Sequence, residues 1–327
     1  MRKDVVIAID TSNYTTSVAI LGIDGTLVAN LKKLLPVKPG ERGLRQSDAH
    51  FAHTVNLPEL MTEAKKYLAD KNVVCIGVSD KPRSVEGSYM PCFLAGVCTA
   101  TAIACTLGVP LYRFSHQDGH VMAALYSSGH TELIERDFAA FHVSGGTTEL
   151  LRVSPRGDAF LAERVGETLD VNAGQIIDRV GVYMGCAFPA GPELERLALT
   201  CSAKIPSRKL SVNGMSINLS GLENMAVQLY DKTGDKALTS AFVLDYIGRA
   251  LVAMSDAYAE QYGESTFVYA GGVMSNSIIK KMLSAGRTAL FAEPAMSADN
   301  AVGVAALTLK KYKTEIDNGH IFAERAR

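Results

Sequence analysis

One strand–loop–strand pattern occurs twice in this chain, and the repetition limits the folds open to it more than any other feature. Val5 to Asp10 is a short apolar run rich in β-formers, ending in the loop Thr11-Ser12-Asn13-Tyr14-Thr15. Thr16 to Ile23 alternates as a second strand, Asp24-Gly25 reads as a hairpin turn, and Thr26 to Leu31 is a third strand. The pattern returns after Phe141. His142-Val143 opens a strand, Ser144-Gly145-Gly146-Thr147-Thr148 makes the loop, and Glu149 to Val153 runs back. Gly157-Asp158 then turns the chain into Ala159 to Arg164. Helix and strand signals follow each triplet. The first set is His50 to Ala69, Val73 to Ser79 and an uncharged helix; the second is Asp170 to Met184, Ala241 to Gln261, Thr266 to Ala270 and Ser277 to Ser284. Two tandem β-β-β-α-β-α units predict an α/β protein of two similar lobes with a cleft between them.

A length of 327 residues suits two domains of ordinary size, and 47% hydrophobic with 20% charged residues supplies ample core. The net charge of −1 argues against a general polyanion-coating protein. Lys32, Lys33, Lys38, Arg42 and Arg45 form one local basic stretch, read first as solvated charges. Six cysteines without Cys-x-x-Cys spacing indicate a reducing, cytoplasmic setting and no disulfide framework. The N-terminus has too short an apolar part for a signal peptide and runs directly into strand-like sequence. Gly87 to Tyr112 carries no charge and is long enough to span a bilayer. Its Ala, Thr, Cys and Gly content, bracketed by Pro91 and Pro110, fits a buried helix packed closely on a sheet better, so no membrane is expected.

His116 and His120, four residues apart in Ser115-His116-Gln117-Asp118-Gly119-His120, share one helix face and can reach one ion. Asp299, ahead of the last long helix, is the best third ligand, with a helix cap as its alternative role. Two histidines and one carboxylate suit iron(II) or zinc. Ser144 to Thr148 offers glycine amides and hydroxyls to a phosphate. Gly271-Gly272 follows a strand and precedes a helix, allowing close approach of a ligand, while Asn276 is either a contact or a helix N-cap. Asp178 is placed to accept a ribose hydroxyl; Asp170 reads as a surface carboxylate; Glu195 stands between these uses. The His-x-x-x-His spacing also occurs in metalloproteases, but no Glu follows the first histidine to activate water.

With these residues in view, the chain resembles the TsaD/Gcp family, the glycoprotease-like tRNA threonylcarbamoyladenosine synthases. Asp10-Thr11-Ser12 is similar to the family's Glu-Thr-Ser, and His116 to His120 to its His-Met-Glu-Gly-His metal motif. Val143 to Gly146, Gly166 to Asp170, Pro189 to Pro192, Leu219 to Leu222, Gly271 to Val273 with Asn276, and Asp299-Asn300 also have counterparts in the same order. The resemblance implies an actin/Hsp70/sugar-kinase-like (ASKHA) fold, a duplicated βββαβα architecture. Its lobes are expected at residues 1–135, completed by a C-terminal helix at about 299–327, and 136–298. It implies an acyl (threonylcarbamoyl) transferase acting with threonylcarbamoyl-AMP on the tRNA adenosine beside the anticodon. It also implies a divalent metal, iron or zinc, on His116, His120 and Asp299, with a weaker contact from Ser144. His142, Val143, Ser144, Gly145, Gly146, Asp178, Gly191, Glu195, Gly271, Gly272 and Asn276 would hold an adenine nucleotide (ATP, AMP or threonylcarbamoyl-AMP). The implied partners are tRNA, a smaller non-catalytic paralogue and an ATPase helper.

Three departures stand out. Ser12-Asn13-Tyr14-Thr15-Thr16 replaces Ser-Cys-Asp-Glu-Thr, so Tyr14 stands where the family has an acidic residue tied to catalysis. Thr147 replaces a histidine, and Asp80-Lys81-Pro82-Arg83 replaces a Gly-Pro-Gly loop. Tyr14 and Thr147 are therefore the candidate catalytic positions, Tyr14 also as a phenolate ligand. A diverged nucleotide- and metal-binding paralogue, with another substrate or a regulatory role, is the alternative.

Overall fold

The computed structural model describes residues 2–12, 14–36, 44–157, 159–264, 266–297 and 299–319. Asn13, Lys38, Arg42, Asp158 and the end of the expected C-terminal helix, 320–327, lie outside the described residues. The chain divides into two compact units. One comprises Met1–Ile134, Pro155–Leu161 and Ala298–Arg327, the other Glu135–Ser154 and Ala162–Ser297.

The first unit runs β1 (Lys3–Ser12), β2 (Thr15–Gly22), β3 (Leu27–Leu34), α1 (Gln46–Leu68), β4 (Lys71–Lys81), α2 (Phe93–Leu107), β5 (Leu111–Ser115) and α3 (His116–Ser128). Its sheet has the order β3-β2-β1-β4-β5. β2 pairs antiparallel with β1 and β3, while β4 pairs parallel with β1 and β5. Helices cover the central strand β1, so Val5 to Ile9 form an unbroken buried run without alternation.

The second unit contains β6 (Phe138–Val143), β7 (Thr148–Arg156), β8 (Ala159–Glu167), α4 (Ala173–Tyr183), α5 (Gly191–Ala198), β9 (Ser211–Asn213), β10 (Ser216–Asn218), α6 (Ser220–Thr233) and α7 (Lys236–Tyr262). It continues through β11 (Thr266–Ala270), α8 (Ser277–Leu283), β12 (Thr288–Phe291) and the short α9 (Pro294–Ser297). The sheet order β12-β11-β6-β7-β8, taken from its other edge, repeats that of the first unit. Parallel pairing again falls on the strands after the meander, β11 with β6 and with β12. The last helix, α10 (Val302–Asp317), belongs to the first unit and packs on α3 and β1.

Several sequence expectations change. The first unit has one more strand than expected, β5, and the second has three more, β9, β10 and β12. β5 was hidden because its first residues, Leu111 and Tyr112, end the uncharged segment, and β9, β10 and β12 because they have only 3, 3 and 4 residues. His142-Val143 ends its strand rather than opening it, and β3 continues to Leu34. The uncharged segment is not one buried helix. α2 has 15 residues, buries Phe93, Ala95, Gly96, Ala100 and Ala104, and leaves Leu94, Cys98 and Leu107 exposed. Among the described residues, the helix long and apolar enough to cross a membrane is α7, and it is a core helix carrying buried Phe242, Leu244, Ile247, Leu251, Met254 and Tyr258. All six cysteines are free. In the basic stretch, Lys33 pairs with Glu59.

Asp170 is more than a surface carboxylate. Its Oδ1 accepts from Val171 N (2.6 Å) and Leu219 N (2.8 Å), and its Oδ2 from the amide (3.0 Å) and hydroxyl (2.6 Å) of Ser220. It thereby joins the end of β8 to the start of α6. Although burial opposes ionisation, these bonds hold its carboxyl well below the ordinary range. A pKa depressed in the folded state contributes stability above the unfolded value, about 3.9, that is lost as pH falls. Asp170→Ala is expected to cost about 2 kcal/mol at pH 7 in denaturant melts, with the gap from wild type closing under acid. A constant gap at every pH would contradict this.

Candidate metal centre and nucleotide cavity

β5 delivers the histidine helix. Ser115, its last residue, caps α3: the hydroxyl accepts from Asp118 N (3.1 Å) and Asp118 Oδ2 accepts from Ser115 N (3.2 Å). This capping box starts the helix at His116 and sets His120 one turn later on the same face. Pro82 and Ser84, in the loop that replaces Gly-Pro-Gly, anchor to the same turn through Gln117 N (3.0 Å) and Asp118 Oδ2 (2.7 Å).

Asp299 reaches the histidines from the segment ahead of α10. Asn300 Oδ1 accepts from Val302 N (2.9 Å), so Asn300 takes the helix-start role and Asp299 is left for the imidazoles. The crossing of α10 over α3 depends on Gly303, where a Cβ would lie 1.8 Å from Gly119 O and 2.6 Å from Ala123 N.

Asp299 Oδ1 stands 3.2 Å from His120 Nε2 and 3.6 Å from His116 Nε2, and the two Nε2 atoms are 3.0 Å apart. Ligands bound at roughly 2.1 Å to one small cation sit about 3 to 3.5 Å from each other, so the set fits a divalent metal. On its far side His116 Nδ1 meets Asp10 Oδ2 at 2.7 Å. Asp10 is buried at the end of β1 and its Oδ1 accepts from Ser12 N (2.7 Å). With its Nδ1 proton fixed by this carboxylate, His116 presents an Nε2 lone pair, as metal-ligating imidazoles do. Without a cation, the same carboxylates favour a second proton on the ring, which a bound metal would displace. Burial opposes protonation of His116, yet the charge and hydrogen bond of Asp10, then Asp299, push its pKa up to about 10. Burial likewise opposes ionisation of Asp299, but hydrogen bonds from His116 and His120 hold it well below the carboxylate range. The role of Asp10 was missed in the sequence, where only its place before a hydroxyl-rich loop could have signalled it.

Tyr14 lies at the β1–β2 turn, 40% exposed, and no hydrogen bond joins its phenol to the three ligands. Thr147 is half-buried in the β6–β7 turn of the other unit, where its amide donates to Ser144 Oγ (3.1 Å).

The second unit holds a cavity of about 430 Å³. Of the residues expected around a nucleotide, the structure gathers Gly145, Asp178, Gly191, Glu195, Gly272 and Asn276 on its walls. Gly174, Ile177, Pro189, Pro192, Val273 and Ser275 complete it. The legible signal for Gly174 was its place four residues before Asp178, on the same face of α4; Ile177, next to Asp178 in the helix, carried no such signal. His142 and buried Val143 end β6 behind the loop and do not line the cavity; nor do Ser144, Gly146 and Gly271. Gly271 has a structural role: φ is +100°, and a Cβ there would lie 2.2 Å from Val143 O.

The expected phosphate cradle is altered. Gly146 N (3.2 Å) and Thr147 N donate to Ser144 Oγ, so these amides are satisfied within the loop. Asn276 Oδ1 caps α8 by accepting from Ile278 N and Ile279 N, both at 3.1 Å. Glu195 Oε1 accepts from the Ser277 amide (2.8 Å) and hydroxyl (2.5 Å). What remains for a ligand is the Asn276 amide nitrogen, the Gly145 and Gly272 amides, and Asp178. One Asp178 oxygen accepts from Ala190 N (2.8 Å), and burial raises its pKa. An apolar wall with a few such donors and one carboxylate suits a nucleoside.

Residues 35–306 match the family model described as tRNA N6-adenosine threonylcarbamoyltransferase. The protein of that name from Streptococcus suis is 29% identical over 331 residues, covering 96% of this chain and 94% of the relative. Among solved structures, full-length HypF in its phosphate- and nucleotide-bound form superposes with a TM-score of 0.59 at 12% identity. That match covers 96% of this chain but only 47% of HypF. The activator of 2-hydroxyisocaproyl-CoA dehydratase from Clostridium difficile, with bound ADPNP, gives a TM-score of 0.52 at 12% identity, covering 96% and 97%. These likenesses identify the fold as the actin/Hsp70/sugar-kinase type.

Proposed function

Because the chain belongs to the tRNA N6-adenosine threonylcarbamoyltransferase family, we propose that it transfers a threonylcarbamoyl group from threonylcarbamoyl-AMP to tRNA. The acceptor is the N6 amine of the adenosine beside the anticodon. The amine nitrogen bonds to the carbamoyl carbon, the bond from that carbon to the phosphate oxygen breaks, AMP leaves with the electron pair, and the amine releases one proton. The observation that carries this reading is the convergence of His116, His120 and Asp299, backed by Asp10. Those three residues would hold iron or zinc, which when bound supplies a Lewis acid for charge developing on the donor's oxygens. Asp178 and Asn276 would orient the adenosine. The pathway's smaller paralogue and ATPase would assist.

Purified protein, supplied with metal, threonylcarbamoyl-AMP, tRNA and the helper proteins, should yield N6-threonylcarbamoyladenosine in nucleoside digests analysed by mass spectrometry. No modified nucleoside under those conditions would refute the proposal. Tyr14 and Thr147, at positions where the family has an acid and a histidine, favour the second reading of a diverged paralogue. Tight AMP or ATP binding without tRNA modification would select it.

A further inference from the structure

Residues 196–222 contain Arg196, Lys204, Arg208 and Lys209 but no Asp or Glu. In a chain of net charge −1, so long a stretch without an acid concentrates positive charge in one place. The fold turns its apolar residues inwards and its charges outwards. Ile205, Leu210 and Met215 pack against the core of the second unit, whereas Lys204, Arg208 and Lys209 are exposed. Val212, 38% exposed, is the large apolar side chain left outside between residues 200 and 219. Arg196, Arg179 and Arg249 are paired with Glu193, Glu223 and Asp245. No such carboxylate meets Lys204, Arg208 or Lys209 among the described residues. The stretch is held by its backbone, which leaves those side chains uncommitted. Tyr246 on α7 donates its hydroxyl to Lys209 O (3.4 Å), and Arg249 Nη1 donates to Arg208 O (3.1 Å). Arg249 also lies over the Tyr246 ring at 5.6 Å, so the two supports brace each other. The hairpin β9–β10 that follows is fixed through Ile217 O, which accepts from Leu169 N (2.8 Å), and through Asp170 on Leu219 and Ser220.

Fixed cations without a neighbouring acid, flanked by exposed Ser202, Ser207, Ser211 and Asn213, complement a polyphosphate chain. The charges displace its counterions, and the hydroxyls and amide donate to its oxygens. A surface for a protein partner would instead present a cluster of large apolar or aromatic anchors. One for a membrane would carry such side chains beside the cations, and Val212 alone does not supply them. We propose that Lys204, Arg208 and Lys209, ahead of hairpin β9–β10, form a surface that contacts the phosphate backbone of the RNA substrate. The surface rests on the transferase reading above for its partner, and adds to it a sequence-independent grip on tRNA.

The test is fluorescence-anisotropy titration of labelled tRNA with the metal-loaded full-length protein at several salt concentrations. Arg208→Gln/Lys209→Gln should weaken binding about tenfold near physiological salt and flatten the slope of log affinity against log salt by about 1.5. The loss should be equal for a tRNA lacking the target adenosine, because phosphates carry no base identity. Lys65→Gln/Lys66→Gln on α1 makes the same change in net charge at exposed residues and should stay within about twofold of wild type. Metal content and AMP binding should not change in either variant. Equal tRNA affinity and slope in wild type and Arg208→Gln/Lys209→Gln overturns the surface alone, as does an equal loss in the α1 variant. Lost binding to phosphatidylserine vesicles or to a helper protein, with tRNA binding intact, also overturns it. A variant that loses tRNA as expected, beside a wild type that never forms N6-threonylcarbamoyladenosine, overturns the transferase reading and leaves the RNA surface standing. A wild type that binds no tRNA overturns both.

Discussion

His120→Ala and Asp299→Ala should purify without metal from cells that load the wild type with about one equivalent, as read by elemental analysis. Each removes one of three ligands, and the remaining pair offers too few donors to retain the ion through dialysis. Asp10→Asn keeps all three but cancels the charge behind His116, so a loss of about 10- to 100-fold in metal affinity is expected. The fold should survive. His116 and His120 lie beside a carboxylate pair rather than in an apolar cluster, and neither fills core volume. Equal metal content in wild type and variants would show that the cluster is only a hydrogen-bonded knot.

How far this site was legible follows from which residues act locally. The histidine pair could be read because helical spacing alone puts positions four apart on one face. Asp299 could be named, but its freedom from capping depends on Asn300 taking that task, a choice made by backbone geometry. Asp10 escaped because its partner is 106 residues away and meets it only once β1 and β5 lie on either side of β4. The same limit explains the phosphate loop. Glycines and hydroxyls in sequence announce available donors, yet Ser144 turns its oxygen back on two of those amides. Tandem topology was readable because the meander and its hairpin turns are local; the added strands β5, β9, β10 and β12 were not, since so short a run carries too little period to register.

Gly303→Ala should be the most damaging glycine-to-alanine change among the described residues. A Cβ at that position would meet Gly119 O at 1.8 Å and Ala123 N at 2.6 Å, both backbone atoms of α3, so no side chain can rotate away. Gly119 lies between the two ligand histidines. α10 must therefore move off the turn that carries them, taking with it the segment that holds Asp299. The expected loss is about 2–4 kcal/mol in denaturant unfolding, together with at least roughly tenfold in metal affinity, although no ligand atom is touched. Gly221→Ala provides the control. That glycine sits in α6 with nothing within 4 Å of its would-be Cβ, and alanine there should be neutral or stabilise by up to about 1 kcal/mol. If Gly303→Ala keeps both its stability and its metal, close packing of α10 on α3 is not what brings the aspartate to the imidazoles.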